Sequence, residues 1–346
     1  MRQLFAAQLA TVALFAFVAA PAMPARADED KEREGDVKID QQTQKAIDKA
    51  LEWLAGKQNA DGSWGDTQYP HNTAITAFAM LAFMAQGHLP NQGLYGPEVA
   101  RGARFLIASQ RDRDGYLVGS RGGNMYCHAM ATLALAELYG MTGDDSIKPV
   151  LEKAVDLIVR CQSPEGGWRY DPVPTGADIS VTIMQVMALR AAKNSGLHVP
   201  DKTLKNAIAY IYRCYDERSG GFTYMPRSRA PGFARTAAGV CVLQLSGEYD
   251  AQVIPRAIEY MKRNFHTRQY FWYGHYYAAH AMHQVGGKEW AEWYGEIRDL
   301  LLARQEPGGD WSRRDLDQAS AGPVYQTAIA VIILSVPAHY LPIFQR

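Results

Sequence analysis

One short pattern recurs along the chain: an apolar stretch with helical spacing, then Gln, a polar turn, glycine and an aromatic residue. The clearest copies are "EWLAGKQNADGSW" at 52–64, "RFLIASQRDRDGY" at 104–116 and "DLIVRCQSPEGGW" at 156–168. Their glutamines, Gln58, Gln110 and Gln162, recur at a constant interval of 52 residues. A fixed period of this length is typical of proteins built from repeated supersecondary units.

The rest of the chain carries three more copies, a good one at 299–311 and two degenerate ones before it. They are "AYIYRCYDERSGGF" at 209–222, "EYMKRNFHTRQYFW" at 259–272 and "DLLLARQEPGGDW" at 299–311. The copy at 259–272 has lost both the glutamine and the glycine. The sequence therefore predicts six units, of which four are good matches and two are degenerate.

Each unit holds two different helices. The first is amphipathic, with apolar residues such as Ile47, Leu51 and Leu54 on one face. The second is apolar nearly all round, as in "NTAITAFAMLAFMAQG" from Asn72, which is typical of a fully buried helix. Six such pairs satisfy both patterns as an all-α α/α toroid, with apolar helices in an inner ring and amphipathic helices outside. An open superhelix is the alternative, and the short last interval, from His266 to Gln305, favours closure.

The recurring turn has a structural role in this fold. Glycine ends the outer helix, and we expect the preceding glutamine to bond the backbone groups freed at that helix end. The aromatic residue is expected to fill the gap between neighbouring units. The pattern by itself predicts no chemistry.

Composition excludes some classes of partner. The chain has 346 residues, with 36 basic and 36 acidic side chains, so no global field attracts nucleic acid. The four cysteines, Cys127, Cys161, Cys214 and Cys241, show no C-x-x-C spacing and lie in apolar stretches, which favours buried thiols. Cys161 and Cys214 hold nearly equivalent places in successive units, so a disulfide between them is the alternative.

The N-terminus has the layout of a secretory signal: Arg2, an apolar run, prolines, and a small-residue site ending at Ala27. We therefore divide the chain into a signal peptide at 1–27, a charged linker at 28–40 and a toroid domain at 41–346. The expected location is the periplasm or cell envelope, with no stable membrane span after cleavage. An uncleaved membrane anchor is the competing interpretation.

The Gln-x3-Gly-x-Trp pattern after an aromatic-leucine helix resembles the QW motif of squalene-hopene and oxidosqualene cyclases. From about Gln41 to its C-terminus the chain is similar to the prenyltransferase and squalene oxidase repeat group. "YCHAMATLALAELYGMTGD" and "GGWRYDP" resemble more particularly a set of exported bacterial repeat proteins. The resemblance implies a toroid and an isoprenoid ligand. It specifies the reaction much less, since the group includes protein prenyltransferase β-subunits and toroids host unrelated chemistries.

The resemblance implies an acid motif, Asp-x-Asp-Asp, whose middle residue protonates an alkene or epoxide. The matching segment is "ADISVT" at 177–182, where Asp178 is kept but Ser180 or Ile179 stands at the donor position. A serine cannot protonate an alkene, so the motif is incomplete. Asp315 and Asp317 form a second candidate acid pair, for which a solvated turn is the competing interpretation.

Metal and cofactor signals are weak. The zinc of protein prenyltransferases is held by Asp, Cys and His, and the chain has no Asp-x-Cys. His280 and His283 are spaced to bind metal from one helix, but ordinary hydrogen-bonded histidines fit the same pattern. No phosphate-binding glycine loop is present in the sequence. We therefore predict no metal and no cofactor.

Polar residues recur at the entrances of the inner helices. In a closed ring they converge on one mouth of a central cavity, which predicts a ligand site there. The same residues would also serve as helix caps. The predicted ligand-binding residues are Asn72, His128, Arg235, Tyr273, His275 and Gln326, with Asp178 at the equivalent place in its own unit. The aromatic cluster "RQYFWYGHYY" at 268–277 fits either this site or the core.

Three functions remain open from the sequence. The first is an exported toroid whose cavity binds an isoprenoid or another hydrophobic molecule, with cyclase or isomerase chemistry if it is an enzyme. The second is a non-catalytic binding or scaffold toroid. The third is a carbohydrate lyase or hydrolase; paired carboxylates would indicate a hydrolase, and Tyr, His and Arg without them a lyase. The protein partner, if any, is not specified.

Overall fold

All the regular secondary structure is helical over the residues that the structure describes. A computed structural model describes residues 37–344 except 120–121, 229, 314 and 318–320. The predicted signal peptide at 1–27 and linker residues 28–36 lie outside the described residues. The helices are α1 Gln41–Ala55, α2 Thr73–Met84, α3 Gly96–Ala108, α4 Met125–Thr142, α5 Lys148–Arg160, α6 Ile179–Asn194, α7 Asp201–Arg213, α8 Phe233–Leu245, α9 Val253–Arg263, α10 Phe271–Val285, α11 Gly287–Leu302 and α12 Pro323–Ser335. Two short 3-10 helices follow, Val336–Ala338 and Pro342–Phe344.

The helices form two concentric rings. Each even-numbered helix packs on the next even-numbered one, and α12 returns onto α2, which closes the inner ring. The odd-numbered helices surround it. The predicted α/α toroid is confirmed, and the open superhelix is wrong. No described helix combines the length and apolarity that crossing a membrane requires.

Burial separates the two kinds of helix as the sequence pattern predicts. In α2 every residue except Ala74 is buried, whereas α1 buries a single face that includes Ile47, Leu51 and Leu54. Inner helices touch neighbours on all sides, so an apolar surface all round is what stabilises them. The four cysteines are buried, separate thiols, so Cys161 and Cys214 are not bridged.

In the Gln-Gly-aromatic turn, the glutamine and the tryptophan have different roles from those expected. The helix-end carbonyl is taken by the tryptophan: the Trp168 indole N–H donates to the Ile158 oxygen at 2.7 Å. Gln162 instead donates to the Gly166 oxygen within its own turn and to the Thr203 oxygen of the next unit, both at 2.8 Å. The tryptophan therefore caps the helix, and the glutamine ties one unit to the next.

The glycine of this turn is required by close packing as well as by its backbone angle. Gly166 has a φ of +95°, and a Cβ there would lie 2.5 Å from the Asn206 carbonyl oxygen of the next outer helix. No side chain fits that gap, so the turn allows neighbouring units to approach backbone to backbone.

The C-terminal segment covers the end of the ring where the inner helices finish. The Ile343 N–H donates to the Glu137 carboxyl at 3.1 Å, and the Gln284 amide donates to the Phe344 oxygen at 2.6 Å. The Phe344 ring stacks on His280 with 3.3 Å between centroids. These contacts join the last described residues to α4 and α10 and close that end of the ring.

Candidate functional site

The opposite end of the ring contains a cavity of about 720 Å³. All six inner helices run in the same direction, so their N-terminal turns meet there and supply most of its walls. The turns that lead into these helices complete the rim. A cavity of this size falls within the range of small-molecule binding sites.

The cavity lining changes from polar to apolar with depth. Asn72, the N-cap of α2, lies at the rim, and Phe78 lies six residues further along the helix, about 9 Å deeper by the helical rise. The rim carries hydroxyl, amide and guanidinium groups from Asn72, Asn124, Ser180, Arg235, Asn264, Thr267 and Gln269. The floor is formed by Ile75, Phe78, Met130 and Met184. The site is a bowl with a polar rim and an apolar base.

The space below the floor is filled by side chains. The Tyr277 hydroxyl donates to the Met184 sulfur at 2.9 Å, and Tyr276 meets Phe78 edge to face with 5.5 Å between centroids. Both tyrosines are buried members of α10. The bowl therefore ends part-way through the ring.

Tyrosine is the dominant residue of the walls. The cavity is lined by Tyr69, Tyr126, Tyr170, Tyr224, Tyr260, Tyr270, Tyr273 and Tyr325. Burial raises the pKa of Tyr126, Tyr273 and Tyr325 above the ordinary value, so these remain neutral phenols at physiological pH. They offer hydrogen bonds and ring faces, and they are poor bases.

Asp178 lies beside the cavity but does not line it. Its side chain is fully buried; one carboxyl oxygen accepts the Val181 N–H at 2.9 Å as the N-cap of α6, and the other lies 3.8 Å from the Arg169 guanidinium. Burial raises the pKa of Asp178, partly offset by these contacts. Two neighbours, Ser180 and Tyr224, line the wall in its place. Its catalytic role stays a prediction.

Asp315 and Asp317 are also outside the cavity lining, and both carboxyl groups bind other parts of the chain. Asp315 pairs with Arg304 at 2.6 Å on the surface. Asp317 is buried and accepts the Trp272 N–H at 3.4 Å, at the start of α10. The two carboxyl groups serve different local structures, and their predicted acid role remains untested.

Three of the predicted ligand-binding residues line the cavity. Asn72 caps α2 through its side-chain oxygen and turns its amide nitrogen toward the Cys127 sulfur, 3.7 Å away. The Arg235 guanidinium donates to the Ala230 oxygen at 3.2 Å on the rim. The Tyr273 hydroxyl reaches the Ser180 oxygen at 3.4 Å.

The other three predicted residues lie in the core and do not line the cavity. His128 accepts the Leu117 N–H at 3.0 Å and donates to the Ala154 oxygen at 3.1 Å. His275 donates to the Phe265 oxygen at 3.1 Å. Burial lowers the pKa of His128 to about 4 and that of His275 to about 3, so both are neutral at pH 7. Gln326 is buried on α12.

Several lining residues were missed by the sequence reasoning. Tyr126, Tyr273 and Tyr325 all lie in the first turn of an inner helix, and only Tyr273 was selected. A comparison of the units at that position would have found the other two. Tyr170 and Tyr224 come from inter-helix turns, and their hydroxyls lie 2.9 Å apart across the rim.

We next consider the side chains that could bind a metal ion or act as acids. Within the described ranges, no group of three or more His, Cys, Asp or Glu side chains is arranged to hold a metal ion. The described lining of the cavity also contains no carboxylate. What the bowl provides is hydrogen-bonding groups above and apolar surface below.

Comparison with known proteins places the chain in a family. The family described as a domain of unknown function, DUF6288, matches residues 43–303. The chain belongs to the DUF6288 family. Its match covers most of the toroid, from α1 to the end of α11.

A curated relative gives a short match. A squalene-hopene cyclase from Bradyrhizobium diazoefficiens is 38% identical over 79 residues, which is 19% of this chain and 11% of the cyclase. The chain thus spans about a ninth of the length of that relative. Membership of the QW repeat group stays a prediction, and the toroid is what the comparisons show.

Solved structures with the same fold carry different activities in their descriptions. An α-1,6-mannanase from Salegentibacter sp. superposes with a TM-score of 0.64 at 9% identity, covering 86% of this chain and 99% of the mannanase. A cellobiose 2-epimerase from Bacillus thermoamylovorans gives 0.64 at 13% identity, covering 85% and 98%. A type II terpene cyclase from Scytonema gives 0.60 at 15% identity, covering 88% and 100%. These likenesses show the fold and do not select among the activities.

Proposed function

We propose that the DUF6288 toroid binds a neutral amphipathic molecule of isoprenoid type, with its apolar body on the floor of the bowl and its polar end at the tyrosine rim. The observation that carries the proposal is the division of the lining by depth. Ile75, Phe78, Met130 and Met184 offer no hydrogen bonds except through sulfur, so a ligand group placed there must be apolar.

The alternatives fit this lining less well. A glycoside hydrolase needs two carboxyl groups flanking the bond, and the described lining has none. A lyase that uses tyrosine as its base needs a phenol that ionises readily, whereas burial raises the pKa of Tyr126 and Tyr273. A cyclase needs an acid that touches the ligand, and Asp178 is separated from the cavity by its neighbours.

The proposal is tested by titrating the purified protein with farnesol and, separately, with mannotriose. We expect saturable binding of farnesol, measured by calorimetry, and none of mannotriose. Met184→Gln places an amide on the floor; its oxygen can accept the Tyr277 hydroxyl, but its N–H groups would face the apolar part of the ligand. Farnesol binding should weaken at least about fivefold, because burying an unpaired N–H costs about 1–3 kcal/mol. Met141→Gln makes the same change at a partly buried methionine outside the cavity and should leave the affinity unchanged.

Two results would overturn the proposal. One is mannotriose binding with no binding of farnesol, which would favour the carbohydrate function. The other is an equal effect of Met184→Gln and Met141→Gln, which would place the bound farnesol elsewhere. A cyclised product in the incubated sample would make catalysis, rather than binding, the function of the bowl.

A further inference from the structure

Two histidines meet at the closed end of the ring, far from the bowl. His283 lies in the last turn of α10, and His339 follows the 3-10 helix Val336–Ala338 in the C-terminal segment. Their Nε2 atoms are 3.3 Å apart, and the ring planes are inclined by 64°. The two rings therefore converge through one nitrogen each instead of stacking.

This separation has the geometry of a metal-binding pair. Imidazole nitrogens bind zinc at about 2.0–2.1 Å in tetrahedral sites, which places two such ligands about 3.3 Å apart. Without an ion, the same two atoms are close enough to share a hydrogen bond. Bringing an ion between His283 and His339 would require little movement of either ring.

Both rings are held in place by their surroundings. His283 meets the edge of Trp290 with 5.2 Å between centroids. His339 has a φ of +57°, in the left-handed region that a non-glycine residue rarely adopts. Such a backbone angle persists only where surrounding contacts impose it.

A small cavity next to the pair has room for one ion or one water molecule. Its volume is about 20 Å³, and His280, His283, Ser335 and His339 contribute to its lining. His280 is 3% exposed, and neither of its ring nitrogens has a hydrogen-bond partner among the described residues. An unpartnered buried imidazole facing this space is a second indication that a polar guest belongs there.

We propose that His283 and His339 form a two-histidine site for a divalent cation of the zinc, nickel or copper type, with water completing the coordination. Imidazole nitrogen suits these metals, while calcium and magnesium prefer oxygen ligands. The bound ion joins α10 to the C-terminal segment, so it stabilises the closed end of the ring. The site is independent of the function proposed for the bowl.

The test uses chelator-treated protein from which any purification tag has been removed. Titration with Zn²⁺ should give one ion per chain by calorimetry and raise Tm. His283→Ala and His339→Ala should each weaken binding at least about tenfold, since even indirect support of a metal ligand contributes that much. His198→Ala removes an exposed histidine elsewhere and should change neither quantity.

Circular dichroism of the metal-free variants separates a lost ligand from a lost fold. Variants that keep the helical spectrum, lose zinc binding and lose the zinc-dependent rise in Tm support the site. Zinc binding that survives in both His283→Ala and His339→Ala would overturn it, as would the absence of binding to the unmodified chain.

Discussion

Glu137 is buried in the inner ring, where its carboxyl group accepts the Ile343 N–H at 3.1 Å. Burial raises the pKa of Glu137 from 4.5 to about 8. The folded state therefore keeps a proton that the unfolded chain releases between these values, and stability is lost as the pH rises from about 4.5 to about 8. Glu137→Gln should remove this loss, so its Tm should fall less than that of the unmodified protein between pH 5 and pH 8.

The matched control for this prediction is Glu152→Gln, which neutralises an exposed carboxyl on α5. That variant should keep the pH dependence of the unmodified protein. Thermal unfolding followed by circular dichroism at the two pH values decides the matter. An unchanged slope in Glu137→Gln would mean that Glu137 is ionised in the fold.

At the residue scale the sequence predicted positions better than side-chain directions. Asn72, Arg235 and Tyr273 were expected at the mouth, and they line it. His128 and His275 occupy similar places in the pattern, yet their rings turn into the core and bond backbone oxygens there. Which way a polar side chain points depends on partners from distant units, such as Ala154 and Phe265, which a local pattern does not reveal.

The glycine turns act at the scale of the element, because they set how closely two outer helices approach. Gly166 and Gly196 have nearly the same φ, +95° and +92°, but only Gly166 faces a neighbouring backbone. Gly196→Ala should destabilise by about 1–2 kcal/mol through the left-handed angle alone. Gly166→Ala should cost at least about 1 kcal/mol more, since the Asn206 carbonyl must move away.

Urea unfolding of the two variants measures this difference, with Gly196→Ala as the control for the backbone angle. Equal losses of unfolding free energy would show that the contact with Asn206 relaxes without cost. The comparison therefore isolates packing between units from the conformational preference of glycine.

The elements were largely predictable, and the exception is informative. The recurring pairs of one amphipathic and one apolar helix were expected, and the described helices alternate in that way. In the degenerate unit, α10 starts after Tyr270, whose φ of +54° turns the chain where other units use glycine. The sequence showed that the usual turn was lost at 259–272, but nothing in it specified the replacement.

Closure of the ring is a property of the whole molecule. It is seen in the hydrogen bonds that the turn glutamines donate to the neighbouring unit. Gln305 donates to Gly309 at 2.9 Å and to Ala46 of the first unit at 2.8 Å. Gln162 makes the equivalent pair of bonds between interior units. If the closing seam is as tight as the interior ones, Gln305→Ala and Gln162→Ala should destabilise equally, each by about 1–3 kcal/mol.

Equilibrium unfolding in urea tests this equality, with Gln68→Ala at an exposed glutamine as the control. The control should lose little stability. A Gln305→Ala variant close to the control, beside a strongly destabilised Gln162→Ala, would mean that the first and last units separate readily in solution.

The number and type of helices predicted a ring, and the recurring Gln-Gly-aromatic pattern predicted its six units. The depth of the bowl was not predictable in the same way. It depends on Tyr276 and Tyr277 filling the space below the floor, and on the C-terminal residues reaching back across α4 and α10. Such long-range contacts involve single residues and leave no periodic signal.

Because Tyr276 and Tyr277 fill the space below the floor and the Phe344 segment covers the far end of the ring, the described residues leave the bowl open at its rim. A ligand bound as proposed would leave through the same opening by which it entered. One ligand would therefore have to be released before the next could bind. If such a ligand were longer than the bowl is deep, the rest of it would lie outside the cavity, where a membrane, a polymer or another protein could contact it. Under the proposed function, the toroid would hold the end of a long molecule and would not thread one through.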